Sequence, residues 1–112
     1  MERLDEKIKY RGYIYNKVKR NNFKAIYAQH NIDDDGNEVI KPRGYEVFRI
    51  SVLKEGELFG NYYPEREKFP SDTAFGLTAW SYRTLESAEK KYQEINEIQT
   101  NESNIQEGET SD

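Results

Sequence analysis

Apolar and aromatic residues alternate with polar ones through most of this chain, then switch to a spacing of three and four near its end. Tyr13, Ile14, Tyr15 and Val18, followed by Phe23, Ile26 and Tyr27, have the aromatic and β-branched character of paired strands, so residues 9–28 are expected to form a β-hairpin. Asn21-Asn22 between them suits a tight turn, because Asn tolerates positive φ better than other non-glycine residues. Asp33-Asp34-Asp35-Gly36-Asn37 marks the next turn. After Pro42 and Gly44, residues 45–53 (YEVFRISVL) are the strongest strand, with Phe48, Ile50 and Val52 on one face and Val47, Arg49 and Ser51 on the other. Glu55-Gly56 turns the chain into a short edge strand over 58–63, ended by Pro64. Ser71 or Asp72 caps one helical turn before Gly76, and residues 79–83 read as a last strand.

The spacing then becomes helical. Leu85, Ala88, Tyr92, Ile95 and Ile98 form an apolar stripe, Thr84 is a good N-cap, and Glu86 and Glu89 sit where the helix dipole favours negative charge. A helix is expected from Leu85 to about residue 98. The following residues, QTNESNIQEGETSD, hold one aliphatic side chain among polar and acidic ones and are expected to stay disordered. Strands followed by a helix imply an α+β domain over residues 5–98: an antiparallel sheet of four to five strands with one C-terminal α-helix packed on one face, then a disordered acidic tail over 99–112. Leu85, Tyr92 and Ile95 are expected to pack against Ile14, Phe48, Ile50 and Trp80.

Composition narrows the class. The 112 residues leave room for one modest core, and the 35% hydrophobic content is low against 34% charged. Nine Tyr, five Phe and one Trp offset that shortage, since each ring buries a large apolar area. With no cysteine there are no disulfides or thiolate chemistry. The first ten residues mix both charge signs around no apolar stretch, unlike a secretory signal, and no apolar run approaches bilayer-spanning length. A cytoplasmic protein without membrane association is expected.

The net charge of −4 is unevenly spread: residues 7–30 hold seven basic side chains and no acidic one, whereas 50–112 hold six basic and thirteen acidic. Cations beside aromatic rings suit nucleic acid, because the cations displace phosphate counterions and the rings stack on bases. Regular alternation would put Tyr13, Tyr15, Lys17 and Lys19 on one face. The candidate nucleic-acid contacts are Lys9, Arg11, Tyr13, Tyr15, Lys17, Lys19, Arg20 and Lys24. The plainer alternative is that the tyrosines are core and the cations pair with the acidic half. A second aromatic concentration, from Tyr62 to Tyr82, exceeds what a small core needs, and Tyr62, Tyr63, Phe69 and Phe75 are candidates for a protein interface.

Chemistry-bearing patterns are weak. Asn31 to Pro42 places Asp33, Asp35 and Gly36 as in a calcium loop, but Pro42 stands where a bidentate Glu is needed and neither flank reads as helix, so a solvated turn is expected. The one histidine, His30, has no evident nucleophile, and one His without Cys does not hold zinc. Glu55, Glu57, Glu65 and Glu67 beside Tyr62 and Tyr63 have the elements of a glycosidase pair, but read more simply as the polar side of an edge strand. No catalytic residue, cofactor, metal or small-molecule substrate is inferred.

Tyr45-Glu46-Val47-Phe48, Phe69-Pro70-Ser71-Asp72, Phe75-Gly76, Ala79-Trp80-Ser81-Tyr82-Arg83 and Thr84-Leu85-Glu86 with Ala88 form an ordered set covering about half the chain. In this set the chain resembles small proteins encoded by bacteriophages and mobile elements of gut Bacteroides-type bacteria. That group has no assigned function, so the resemblance implies context alone: a short accessory protein in a bacterial cytoplasm. The expected function is a non-enzymatic accessory or adaptor protein that binds a protein partner or itself; the alternative is nucleic-acid binding by the basic, Tyr-rich hairpin.

Overall fold

Two consecutive residues with positive φ begin the architecture. Arg11 and Gly12, at φ 53° and 84°, close a two-residue turn of the mirror-image kind that matches strand twist. It folds β1 (Lys7–Tyr10) onto β2 (Tyr13–Arg20), with Tyr10 opposite Tyr13. This first hairpin lies outside the sequence expectation, because Arg-Gly is not a usual pair for such a turn. The computed structural model describes residues 1–95; the expected tail over 99–112, and Ile98 with it, lies outside the described residues.

The expected second hairpin joins β2 to β3 (Lys24–His30), but Asn21 shapes its turn differently from expectation. Neither Asn21 nor Asn22 has positive φ. Instead, Asn21 Oδ1 accepts hydrogen bonds from the Phe23 and Lys24 amides at 2.7 and 2.9 Å, an Asx turn. β4 (Gly44–Arg49) and β9 (Ala79–Tyr82) complete a five-stranded antiparallel sheet in the order β1-β2-β3-β4-β9. Gly44 fits closely at the start of β4: a Cβ there would lie 3.0 Å from the Tyr82 carbonyl oxygen, tighter than an ordinary contact.

Helix α1 (Leu85–Glu94) covers one face of this sheet, as expected. Thr84 caps it by accepting from the Ser87 amide at 3.2 Å. Ala88 and Tyr92 of the helix, with Ile95 just past its end, pack on Ile26 and Val47 of the sheet, flanked by Tyr45, Trp80 and Tyr82. Two expectations fail. The helix ends at Glu94 rather than near residue 98, since Ile95 has extended backbone. The buried Lys24 ammonium takes the Tyr92 and Ile95 carbonyls at 2.8 and 3.3 Å, satisfying groups that another turn of helix would have bonded. Phe48 and Ile50 do not meet the helix: strand alternation sends them through the sheet to its far side, while Leu85 stays 38% exposed.

The far face carries its own core of Tyr15, Ala25, Tyr27, Phe48 and Ala79. Phe69 is its hub, with ring centroids 4.7 to 5.8 Å from those of Tyr10, Tyr15, Tyr27 and Phe48. The Tyr27 hydroxyl donates to the Asp5 carbonyl at 2.8 Å, and burial pushes its pKa up to about 12. The segment after Phe69 contains a 3-10 turn (Asp72–Ala74), where Ser71 precedes the turn without a side-chain cap bond.

Between β4 and β9 the chain leaves the main sheet as an arm over 51–68. Its root pairs β5 (Ser51–Leu53) with β8 (Arg66–Lys68), and its outer part pairs β6 (Gly56–Leu58) with β7 (Asn61–Tyr63). The expected single strand over 58–63 is therefore a hairpin tip. Phe59-Gly60 reverses the chain inside it, at φ 54° and 80°.

Candidate functional site

The basic hairpin does not form one cationic face. A register shift between Lys17 and Lys19 inserts Val18 as a bulge, so alternation breaks and the neighbouring side chains change sides. Tyr13 and Tyr15 face the aromatic core, with Tyr15 buried. Lys19 lies on the helix side, 2.9 Å from Glu89 and over the Tyr92 ring. Arg20 goes to the opposite side and binds Glu67. Lys7 pairs with Glu38, Arg11 with Asp72, and Lys17 with Glu6. Lys24 is buried against the helix end. Of the basic residues over 7–30, Lys9 alone lacks an ion-pair, hydrogen-bond or ring partner within the described part of the chain. Three of these cations thus meet carboxylates of the acidic half (Asp72, Glu89 and Glu67), while Lys7 and Lys17 meet Glu38 and Glu6 outside it.

The interface candidates divide as well. Phe69 is the hub of a core, and Phe75 packs at its margin. Tyr62 and Tyr63 stand exposed on the arm. Around them the arm also exposes Val52, Leu53 and, at its tip, Phe59, which is 92% accessible. A bulky aromatic residue at positive φ is a conformational outlier, and Phe59 gains no burial in return. Sequence reading missed it by treating 58–63 as one strand; the Phe-Gly-Asn string, with Gly in the second turn position, was the available signal. Residues 55–65 carry three carboxylates and no cation, with Lys54 and Arg66 flanking them. Glu55 accepts from the Tyr62 hydroxyl at 3.1 Å, and Glu65 meets Lys54 at 3.4 Å.

The arm is anchored at its root. Arg20 Nη1 and Nη2 donate to Glu67 Oε1 and Oε2 at 2.7 and 2.8 Å, and the Leu4 amide donates to Oε1 at 2.9 Å. Arg20 foremost, with the Leu4 amide, holds the Glu67 carboxyl below the usual range against the opposing effect of burial. The N-terminal segment adds a parallel bridge: the Glu67 amide donates to the Glu2 carbonyl at 2.8 Å and the Glu2 amide to that of Glu65 at 3.2 Å. Glu67 is thus held on both oxygens at the arm root.

No protein-family model, curated protein or solved structure matches the chain. The remaining candidates follow from their own geometry. Asp33 Oδ1 accepts from the Asp35 and Asn37 amides at 3.0 and 2.9 Å, closing the 31–42 loop on itself. Among the described residues, no three His, Asp or Glu side chains gather as a metal site. Also among them, no helix is long and apolar enough to cross a membrane. His30 is buried with Nδ1 2.8 Å from the Val39 carbonyl, so Nδ1 carries a proton and donates. Its 3.7 Å approach to Glu38 completes a structural cluster with Lys7 and Asn16.

Sequence reading also missed Glu46, a buried carboxylate on β4. Its Oε2 accepts from Ser81 Oγ at 2.8 Å, while Oε1 has no hydrogen-bond partner. Burial pushes its pKa up, more than the Ser81 hydrogen bond and the nearby Arg43 charge pull it down. Beside it, Gln29 bridges the Tyr15 hydroxyl and the Arg43 guanidinium at 2.8 and 2.9 Å, and Arg43 lies over the Tyr13 ring. Nothing in the alternating pattern of β4 marks position 46 as a core carboxylate.

Proposed function

We propose that this chain is a non-enzymatic accessory protein that docks on another protein through its arm, with Phe59 as the anchor. The observation that carries this reading is the cost at position 59: an aromatic side chain in left-handed backbone, open to water, on a projecting ribbon. Strain at an exposed position persists where function uses it. Buried aromatic anchors dominate protein interfaces. The partner that fits this tip offers an apolar pocket for Phe59, with cations on its rim facing Glu55 and Glu57. Action in a bacterial cytoplasm, encoded by a phage or mobile element, belongs to the same proposal.

Phe59→Asn tests it without threatening the fold, because Asn-Gly is the preferred pair for this turn. Wild type and variant are compared for the proteins they retain, and a retained candidate is then purified and titrated against both. One stoichiometric partner whose affinity falls at least tenfold with Phe59→Asn supports the reading. Retention unchanged by that substitution overturns it.

Nucleic-acid binding by the N-terminal hairpin ranks below this reading, because most of its cations already meet carboxylates or carbonyls and its tyrosines face a core.

A further inference from the structure

The cations that the ion pairs leave over gather elsewhere. β4 begins where β9 ends, so the segment Lys41-Pro42-Arg43 is brought against Arg83. These three cations line one cleft of about 580 Å³ together with the tyrosines Tyr45 and Tyr82, which are cross-strand partners. Among the described residues no carboxylate lines this cleft. Lys41 and Arg83 have no acidic partner among the described residues, and Arg43 keeps guanidinium donors beyond the one it gives Gln29. Glu46, behind Ser81, is withdrawn under the sheet, and its burial disfavours the charge that would oppose the three cations.

We propose that this cleft binds a nucleoside phosphate, its phosphate held by Lys41, Arg43 and Arg83 and its base against Tyr45 and Tyr82. Two guanidinium groups match phosphate oxygens in a way that scattered lysines do not. Tyrosine rings offer the stacking surface that a base needs and an inorganic anion cannot use. The cleft has the volume of ordinary small-ligand sites. A free nucleotide and a nucleotide within a single strand present the same chemistry to this cleft. This site is independent of the arm, and its failure would leave the docking proposal untouched.

The test uses the full chain at low ionic strength, with ADP and a labelled ten-residue oligothymidylate as separate probes. Saturable ADP binding identifies the free nucleotide as source. Oligomer binding that falls steeply with salt, with ADP weak, identifies the strand. In either case Arg83→Glu is expected to weaken binding about tenfold or more, and Tyr82→Leu to weaken it while pyrophosphate competes poorly. Lys17→Glu, on the paired hairpin, serves as a control and leaves affinity unchanged. Each variant is first checked by thermal unfolding. Binding of neither probe, binding indifferent to Arg83→Glu, or equal competition by pyrophosphate overturns the proposal.

Discussion

Arg20 and Glu67 meet through two parallel hydrogen bonds of 2.7 and 2.8 Å, joining the second strand of the main sheet to the root of the arm. Both side chains are almost wholly enclosed, at 10% and 4% exposure. In such a setting, removing one partner strands the other charge. Glu67→Gln is expected to cost about 3 kcal/mol in chemical denaturation. Because the folded carboxyl titrates below its unfolded value, the pair stabilises the fold fully above the ordinary glutamate pKa. That contribution falls as pH drops through the lower folded value. The variant should therefore lie parallel to wild type at neutral pH and converge with it in acid.

Glu46 has the opposite sign. Burial raises its folded pKa above the unfolded one, so its ionisation opposes folding at neutral pH. The penalty disappears as pH falls through the raised folded value towards the ordinary one. Glu46→Gln is expected to stabilise the protein at pH 7 and to lose that advantage in mild acid, read as the difference in melting temperature against pH. A destabilised variant at pH 7 would show that the Ser81 hydrogen bond outweighs the burial of charge.

The helix is fastened at both ends by single side chains. Thr84→Ala should lower stability by about 1 kcal/mol, the usual value of an N-cap. Lys24→Met should cost about 1.5–3 kcal/mol, the range for a hydrogen bond to a charged group. Its mark is faster amide exchange confined to the last helical turn.

Phe69 and Phe59 make a paired test of core against surface. Phe69→Ala removes the ring that the far-side aromatics surround and should cost about 3–5 kcal/mol. Phe59→Asn should leave the melting temperature unchanged or raise it, since it replaces a strained aromatic with a residue suited to the turn.

Alternation and three-to-four spacing made the strand-then-helix order readable, and Thr84 announced the helix start through its own capping chemistry. What escaped were features that hinge on one residue. Val18 is an unremarkable strand residue, yet its insertion decides which face Lys19 and Arg20 occupy. Phe59 looked like strand because aromatic residues favour strands, although Gly60 behind it turns the chain. Phe69 belongs to an aromatic concentration that composition alone makes an interface candidate; its burial comes from a segment folding over β2, β3 and β4. The cleft at Lys41, Arg43 and Arg83 joins residues forty apart in sequence through strand pairing, which composition does not reveal.

The bulge at Val18 ties together two halves that are otherwise separate. Beyond it, β2 holds Lys19 to the helix on one face of the sheet and Arg20 to the arm root on the other. Sliding this strand by one residue would exchange those destinations at once, turning each cation toward the wrong carboxylate. A single supernumerary residue thus acts as a keyed joint, making helix docking and arm anchorage one decision rather than two.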